Sequence, residues 1–191
     1  MTETSPGMVV IGASAGAVQA LLALLPQLPA GFPLPVLVVV HVPADRDNVL
    51  VSLLQAKCRI AVKEAEDKEP VAGGVVYFAP SDYHLLVEGD LTLALSTDEP
   101  INYSRPAIDV LFESAADACG EGLVGIILTG ANHDGAAGLK AVADAGGVAI
   151  VQDSKEAYAT AMPDAARQAS PTARVMNLDA IASYLSSLGT A

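Results

Sequence analysis

The 191-residue sequence has no tryptophan, only 4% aromatic residues, two cysteines and ten basic residues against 22 acidic ones. Each shortage excludes something. With so few aromatics the core must be aliphatic, which favours helices packed on a parallel sheet over an aromatic-rich β-sandwich. Two cysteines, Cys58 and Cys119, make neither a disulfide scaffold nor a zinc knuckle, and are expected to pack as small buried side chains. A net charge of −12 without clustered Lys and Arg argues against nucleic acid and against anionic membrane surfaces. The longest apolar stretch, 34–42, is interrupted by Pro35 and His41 and is too short to span a bilayer. Residues 1–7 carry neither a basic start nor an apolar run, so no secretory signal is read. Three scattered histidines without an H-E-x-x-H spacing give no metal site. The expectation is a cytoplasmic protein with no cofactor, no metal and no membrane insertion. Residues 1–7 would form a flexible lead-in.

What is present alternates. Apolar runs at 8–12 and 36–40 predict buried strands, followed by helices over 15–28 and 46–57, the second with Asp45 as N-cap. A short strand is expected at 60–62. Three strand-like pieces follow at 73–79, 84–87 and 91–95, with Glu88-Gly89-Asp90 as a hairpin turn between the last two. They predict an antiparallel insertion. A helix over 108–118, a strand at 123–128, a helix over 135–145 and a strand at 148–151 come next. Segments 162–168, 174–176 and 178–188 complete the sheet and end in a helix. The fold class is α/β: a doubly wound, mainly parallel sheet with an antiparallel hairpin insertion.

Ligands of such sheets bind at the carboxyl ends of the strands, so the residues just beyond each strand are the candidates. After the first strand comes Gly12-Ala13-Ser14-Ala15-Gly16, a G-x-S-x-G turn that can present a serine hydroxyl at a helix N-terminus. After the second comes His41. After the strand at 123–128 comes Thr129-Gly130-Ala131-Asn132-His133-Asp134-Gly135. A nucleophile, a base and a base-orienting carboxylate would thus share one edge, the set needed for acyl transfer. Two other roles for the Ser14 turn stand beside this one: an N-cap for the first helix, and a nucleotide-binding loop, although G-x-G-x-x-G is not met. Asp134 could equally cap the helix that follows it. His133 is a rival base, and His84 a structural or rim residue. The order Ser…His…Asp differs from the Ser…Asp…His of α/β-hydrolases.

The sequence resembles the catalytic domain of the chemotaxis receptor methylesterases, the CheB type, over nearly its whole length. Collinear stretches carry the resemblance: Ile11–Gly16, His41-Val42-Pro43, Val62–Asp67, Ala79–Leu85, Asn102–Asp109, Gly125–Gly130 and Asp134–Gly138. It implies Ser14 as nucleophile, His41 as base and Asp134 as orienter. The backbone N–H groups of Ala15 and Ala131 would form the oxyanion hole. The implied activity is hydrolysis of glutamate methyl esters on methyl-accepting chemoreceptors or similar helical signalling proteins, with release of methanol and glutamine deamidation as a second activity. A non-catalytic binding module of the same fold is the alternative. Ala17 stands where the family commonly has a second glycine, and Ala131 where it commonly has methionine. Thirteen residues precede Ser14, so a single catalytic domain over 1–191 without a phospho-receiver is expected. Arg105 is a scarce positive charge in a loop beside Pro106. It is a candidate for recognising the acidic receptor surface, against a structural role on loop carbonyls or with Asp109.

Overall fold

The computed structural model of the protein describes residues 7–41 and 47–189. Residues 1–6, the expected cap Asp45, and Val42 and Pro43 of the second motif lie outside them.

Strand β1 (Met8–Ala13), β2 (Val36–Val40) and β7 (Leu123–Ile127) are buried at every position. These apolar, largely β-branched runs suit strands covered on both faces. Side chains alternate between two cores. Val9, Ile11, Val36 and Val38 join one with helices α1 (Ala17–Leu24), α2 (Asp47–Lys57) and α6 (Leu178–Leu188). Met8, Val10, Leu37 and Val39 join the other with α3 (Ile108–Cys119), α4 (Ala136–Asp144) and α5 (Ala161–Ala169).

Four more strands precede β7: β3 (Ala61–Glu64), β4 (Val75–Phe78) and the hairpin β5 (His84–Val87) with β6 (Leu93–Ser96). Two follow it: β8 (Val148–Gln152) and β9 (Arg174–Met176). Among the described residues seven strands form one sheet, ordered β3-β4-β2-β1-β7-β8-β9, with every neighbouring pair parallel. From β1 the chain winds out through β2 and then returns to the other side of β1 as β7. The crevice above β1 is therefore the switch point at which such sheets bind ligands.

Four expectations are corrected. The piece at 73–79 is no part of an antiparallel insertion. As β4 it lies between β2 and β3, because Val76, Tyr77 and Phe78 are all buried and need cover on both faces. Only β5 and β6 pair antiparallel, in a separate two-stranded sheet whose Leu85, Val87 and Leu93 pack on the α3 side. β6 starts at Leu93 rather than Leu91, since Leu91 sits in the turn at φ 62. Helix α1 starts at Ala17 rather than Ala15, because Gly16 has φ 84, outside the helical region. Cys58 and Cys119 are free and half-buried rather than buried, and burial pushes both thiols up.

Candidate active site

The sheet sets the site before any side chain does. Ala13 pairs with Val40 and Gly12 with Ile127. Ser14 therefore leaves β1 between His41, just past β2, and Thr129, just past β7. Backbone bonds continue beyond the strands: His41 N–H donates to Ala13 O at 3.2 Å, and Ser14 N–H to Thr129 O at 2.9 Å.

Thr129 pins the Ser14 turn a second time. Its hydroxyl donates to Ala15 O at 2.8 Å, and its own N–H donates to Oε1 of buried Gln152 at 2.9 Å. Gly16 completes the turn in the left-handed region. A Cβ there would lie 2.6 Å from Tyr158 Cβ, so only glycine fits. With its backbone so held, the turn leaves its chemistry open. Among the described residues Ser14 Oγ has no hydrogen-bond partner, and the N–H groups of Ala15 and Ala131 have no acceptor. Ser14 does not cap α1, whose N-cap is Gly16 without a side-chain bond. The N-cap reading of this serine is thereby corrected.

Asp134 has the opposite character. It is fully buried and its carboxylate takes four N–H donors. Oδ2 accepts from His41 Nε2 at 2.8 Å and Ile108 N at 2.7 Å. Oδ1 accepts from Asn102 Nδ2 at 2.9 Å and Asp109 N at 3.1 Å. Burial alone would raise its pKa. The bond from His41, followed by those from Ile108, Asn102 and Asp109, outweighs burial and leaves the carboxyl below its ordinary value. Asp134 is thus an ionised acceptor, so His41 Nε2 must carry the hydrogen that this carboxylate receives, and in the neutral ring Nδ1 presents a lone pair.

The capping expected of Asp134 goes to a different helix. It holds the first N–H groups of α3, not those of α4. Asp109, in the first turn of α3, returns the service: its Oδ1 accepts from Gly135 N at 3.0 Å and Gly138 N at 2.7 Å, at the start of α4. Each carboxylate satisfies the orphan donors of the other's helix. Gly138 makes the exchange possible, since a Cβ there would meet Phe112 Cβ at 2.6 Å. Asn102 bridges the two acids, donating also to Asp109 Oδ2 at 2.8 Å. Burial pushes Asp109 up, and the nearby Asp134 charge adds to this.

Asn102, Asp109 and Asn132 were missed as site residues. Asn102 had a local signal: the turn Ile101–Ser104 places Asn102 and Tyr103 at φ 52 and 60, a conformation asparagine tolerates well. Asn132 accepts from Asp134 N through Oδ1 at 3.0 Å and turns Nδ2 to His41 Nδ1 at 3.3 Å. His133 is exposed and not in this network. His84 is structural: it is buried, Nδ1 accepts from Ala107 N at 3.1 Å, and Nε2 bonds Glu99 O at 3.0 Å.

Arg105 shares with His41, Ser81, Tyr103 and Ser104 the wall of a cavity of about 300 Å³. The expected partner Asp109 is occupied elsewhere, which corrects that pairing. Instead Arg105 donates to Thr97 O at 3.0 Å and Asp98 O at 3.2 Å, with Asp82 Oδ1 at 3.7 Å. Among the described residues no group of three or more His, Cys, Asp or Glu could hold a metal ion. No helix there is long and apolar enough to cross a membrane.

Comparisons with known proteins converge on one family. The family model described as CheB methylesterase matches residues 9–185. A Leptospira interrogans protein, provisionally named a protein-glutamate methylesterase/protein-glutamine glutaminase, is 46% identical over 174 residues, 91% of this chain and 90% of that protein. A Geobacter metallireducens protein-glutamate methylesterase/protein-glutamine glutaminase is 40% identical over 185 residues, 95% of this chain and 52% of its own length. The crystal structure of the Thermotoga maritima CheB methylesterase catalytic domain superposes with a TM-score of 0.92 at 34% identity, covering 97% of this chain and all of that one. The chain belongs to the CheB methylesterase family.

Proposed function

We propose that the protein is a serine esterase that hydrolyses γ-glutamyl methyl esters on methyl-accepting chemoreceptors or similar helical signalling proteins in the cytoplasm. The observation that carries the reading is the His41–Asp134 pair, beside a serine turn that leaves its hydroxyl and the flanking amides open. Ser14 Oγ attacks the ester carbonyl while His41 Nδ1 takes its proton. Asp134, on Nε2, stabilises the imidazolium that forms. The N–H groups of Ala15 and Ala131 receive the oxyanion. Collapse of the tetrahedral intermediate sends the proton from Nδ1 to the departing methoxide, releasing methanol. Water, activated by the same nitrogen, then frees Ser14 and leaves a glutamate. Replacing methoxide by ammonia as leaving group gives the glutaminase reaction on the same atoms. Arg105, on the wall of the His41 cavity, meets the acidic receptor surface around the target side chain.

The test is methanol release from methylated receptor. The wild-type protein should release it and Ser14→Ala should not. Equal release by both proteins would remove Ser14 from the reaction. Failure of the wild type itself to release methanol would turn the reading towards the binding module.

A further inference from the structure

The nitrogen that the proposed reaction needs is already taken. His41 Nε2–H is committed to ionised Asp134, so Nδ1 has to accept the Ser14 proton. In the structure Nδ1 faces Asn132 Nδ2 at 3.3 Å, while Ser14 Oγ has no partner among the described residues. The direction of this contact is not free. Asn132 Oδ1 accepts from Asp134 N at 3.0 Å, which fixes the amide with its NH2 towards the ring.

We propose that Asn132 is a positioning residue that competes with Ser14 for His41 Nδ1 and so holds the substrate-free protein with its nucleophile uncoupled. The inference rests on the triad reading above. A donor facing Nδ1 occupies the lone pair that the Ser14 proton needs, because an N–H cannot face another N–H. For Ser14 to be activated the Asn132 amide must release the ring. Its Oδ1 anchor on Asp134 N keeps the freed NH2 at the mouth of the site.

The test compares Asn132→Ala with the isosteric Asn132→Asp, using phosphonylation of Ser14 by a small fluorophosphonate and ester hydrolysis as readouts. Competition gives one order. Asn132→Ala frees Nδ1 and raises the phosphonylation rate by about three- to tenfold, the scale of one neutral hydrogen bond. Asn132→Asp keeps the acceptor for Asp134 N–H but puts a carboxylate on Nδ1, traps the ring as imidazolium and lowers the rate at least as much. A merely structural asparagine, needed only to accept from Asp134 N, gives the reverse: Asn132→Asp behaves as wild type and Asn132→Ala is impaired. That reverse order would overturn the proposal.

The imidazole ¹⁵N spectrum of His41, with Nε2 protonated and Nδ1 not, checks that the site of Asn132→Ala is intact. Where it is not, Asn132→Asp decides alone: a wild-type rate overturns the proposal and a lowered rate supports it. Ser14→Ala separates the two layers. Undiminished labelling in that variant removes the triad reading itself, whereas loss of labelling together with the reverse order of the Asn132 variants removes only the competition.

Discussion

Two loops meet over β1, and they are built in opposite ways. The turn at Ser14 holds its backbone through Thr129 and Gly16 but leaves the hydroxyl and the Ala15 amide without partners among the described residues. The Asp134 side chain, on the facing loop, is fully engaged. Its carboxylate has four donors, and that of nearby Asp109 has three. The contrast separates two tasks. Orientation of a base requires a charge that cannot move, and burial among donors supplies this. Attack on a substrate requires donors and a hydroxyl that nothing else consumes. The Asp134 carboxylate is fixed by folding. The Ser14 turn keeps its hydrogen bonds for the ligand.

The contrast can be broken most severely at Asp134. Asp134→Ala leaves the N–H groups of Ile108 and Asp109 buried without an acceptor and removes one of the two acceptors of the Asn102 amide. It should lower stability by about 3 kcal/mol or more and turnover by a factor on the order of 10³ to 10⁴. Ser14→Ala should lose turnover on a similar scale while its melting temperature stays within about 2 °C of wild type. Urea and thermal unfolding beside ester hydrolysis check both. Equal destabilisation by the two substitutions would show that the loops are not built differently.

The two acids sharpen the comparison through their opposite shifts. The Asp134 pKa is lowered on folding, so its stabilisation is full above the unfolded value of about 3.9 and is lost as pH falls through the folded one. Asp109 is raised, so the folded state holds that proton more tightly. Its contribution is full below the unfolded value and declines as pH rises through the folded one. In urea midpoints across pH, the gap between wild type and Asp134→Asn should therefore narrow on acidification. Relative to wild type, Asp109→Asn should gain as pH rises from about 4. Identical slopes for the two variants would contradict the assignment.

The smallest effect is expected at Arg105. Arg105→Ala should weaken turnover on intact receptor several-fold, act less on a small neutral ester, and move the melting temperature little. Its bonds to Thr97 O and Asp98 O make the alternative explicit. A fall in stability together with an equal fall in both activities would assign it to holding that loop.

Much of this was legible before the structure. Val36–Val40 and Leu178–Leu188 form the elements their patterns predict, with the same ends. The places of Ser14 and His41 could be read because each stands directly past a strand end, where the strand sets its position. What could not be read depends on contacts between distant segments. β4 resembled the hairpin pieces in length and composition, and only burial on both faces separates it from them. Asp109, Asn102 and Asn132 are ordinary polar residues of a helix start and two loops. Their roles arise when α3 and α4 meet across Gly138, bringing together groups 26 to 32 residues apart in the chain. Local propensity gave Asp134 its own helix to cap, and tertiary packing gave it the other.

The central claim is that Ser14 and His41 act as one unit, and a double-substitution cycle on methanol release tests it most directly. Ser14→Ala and His41→Ala should each lower turnover on methylated receptor about a thousandfold or more, and the double variant should be little worse than either. Losses that multiply, so that the double variant falls by the product of the two single effects, would contradict it.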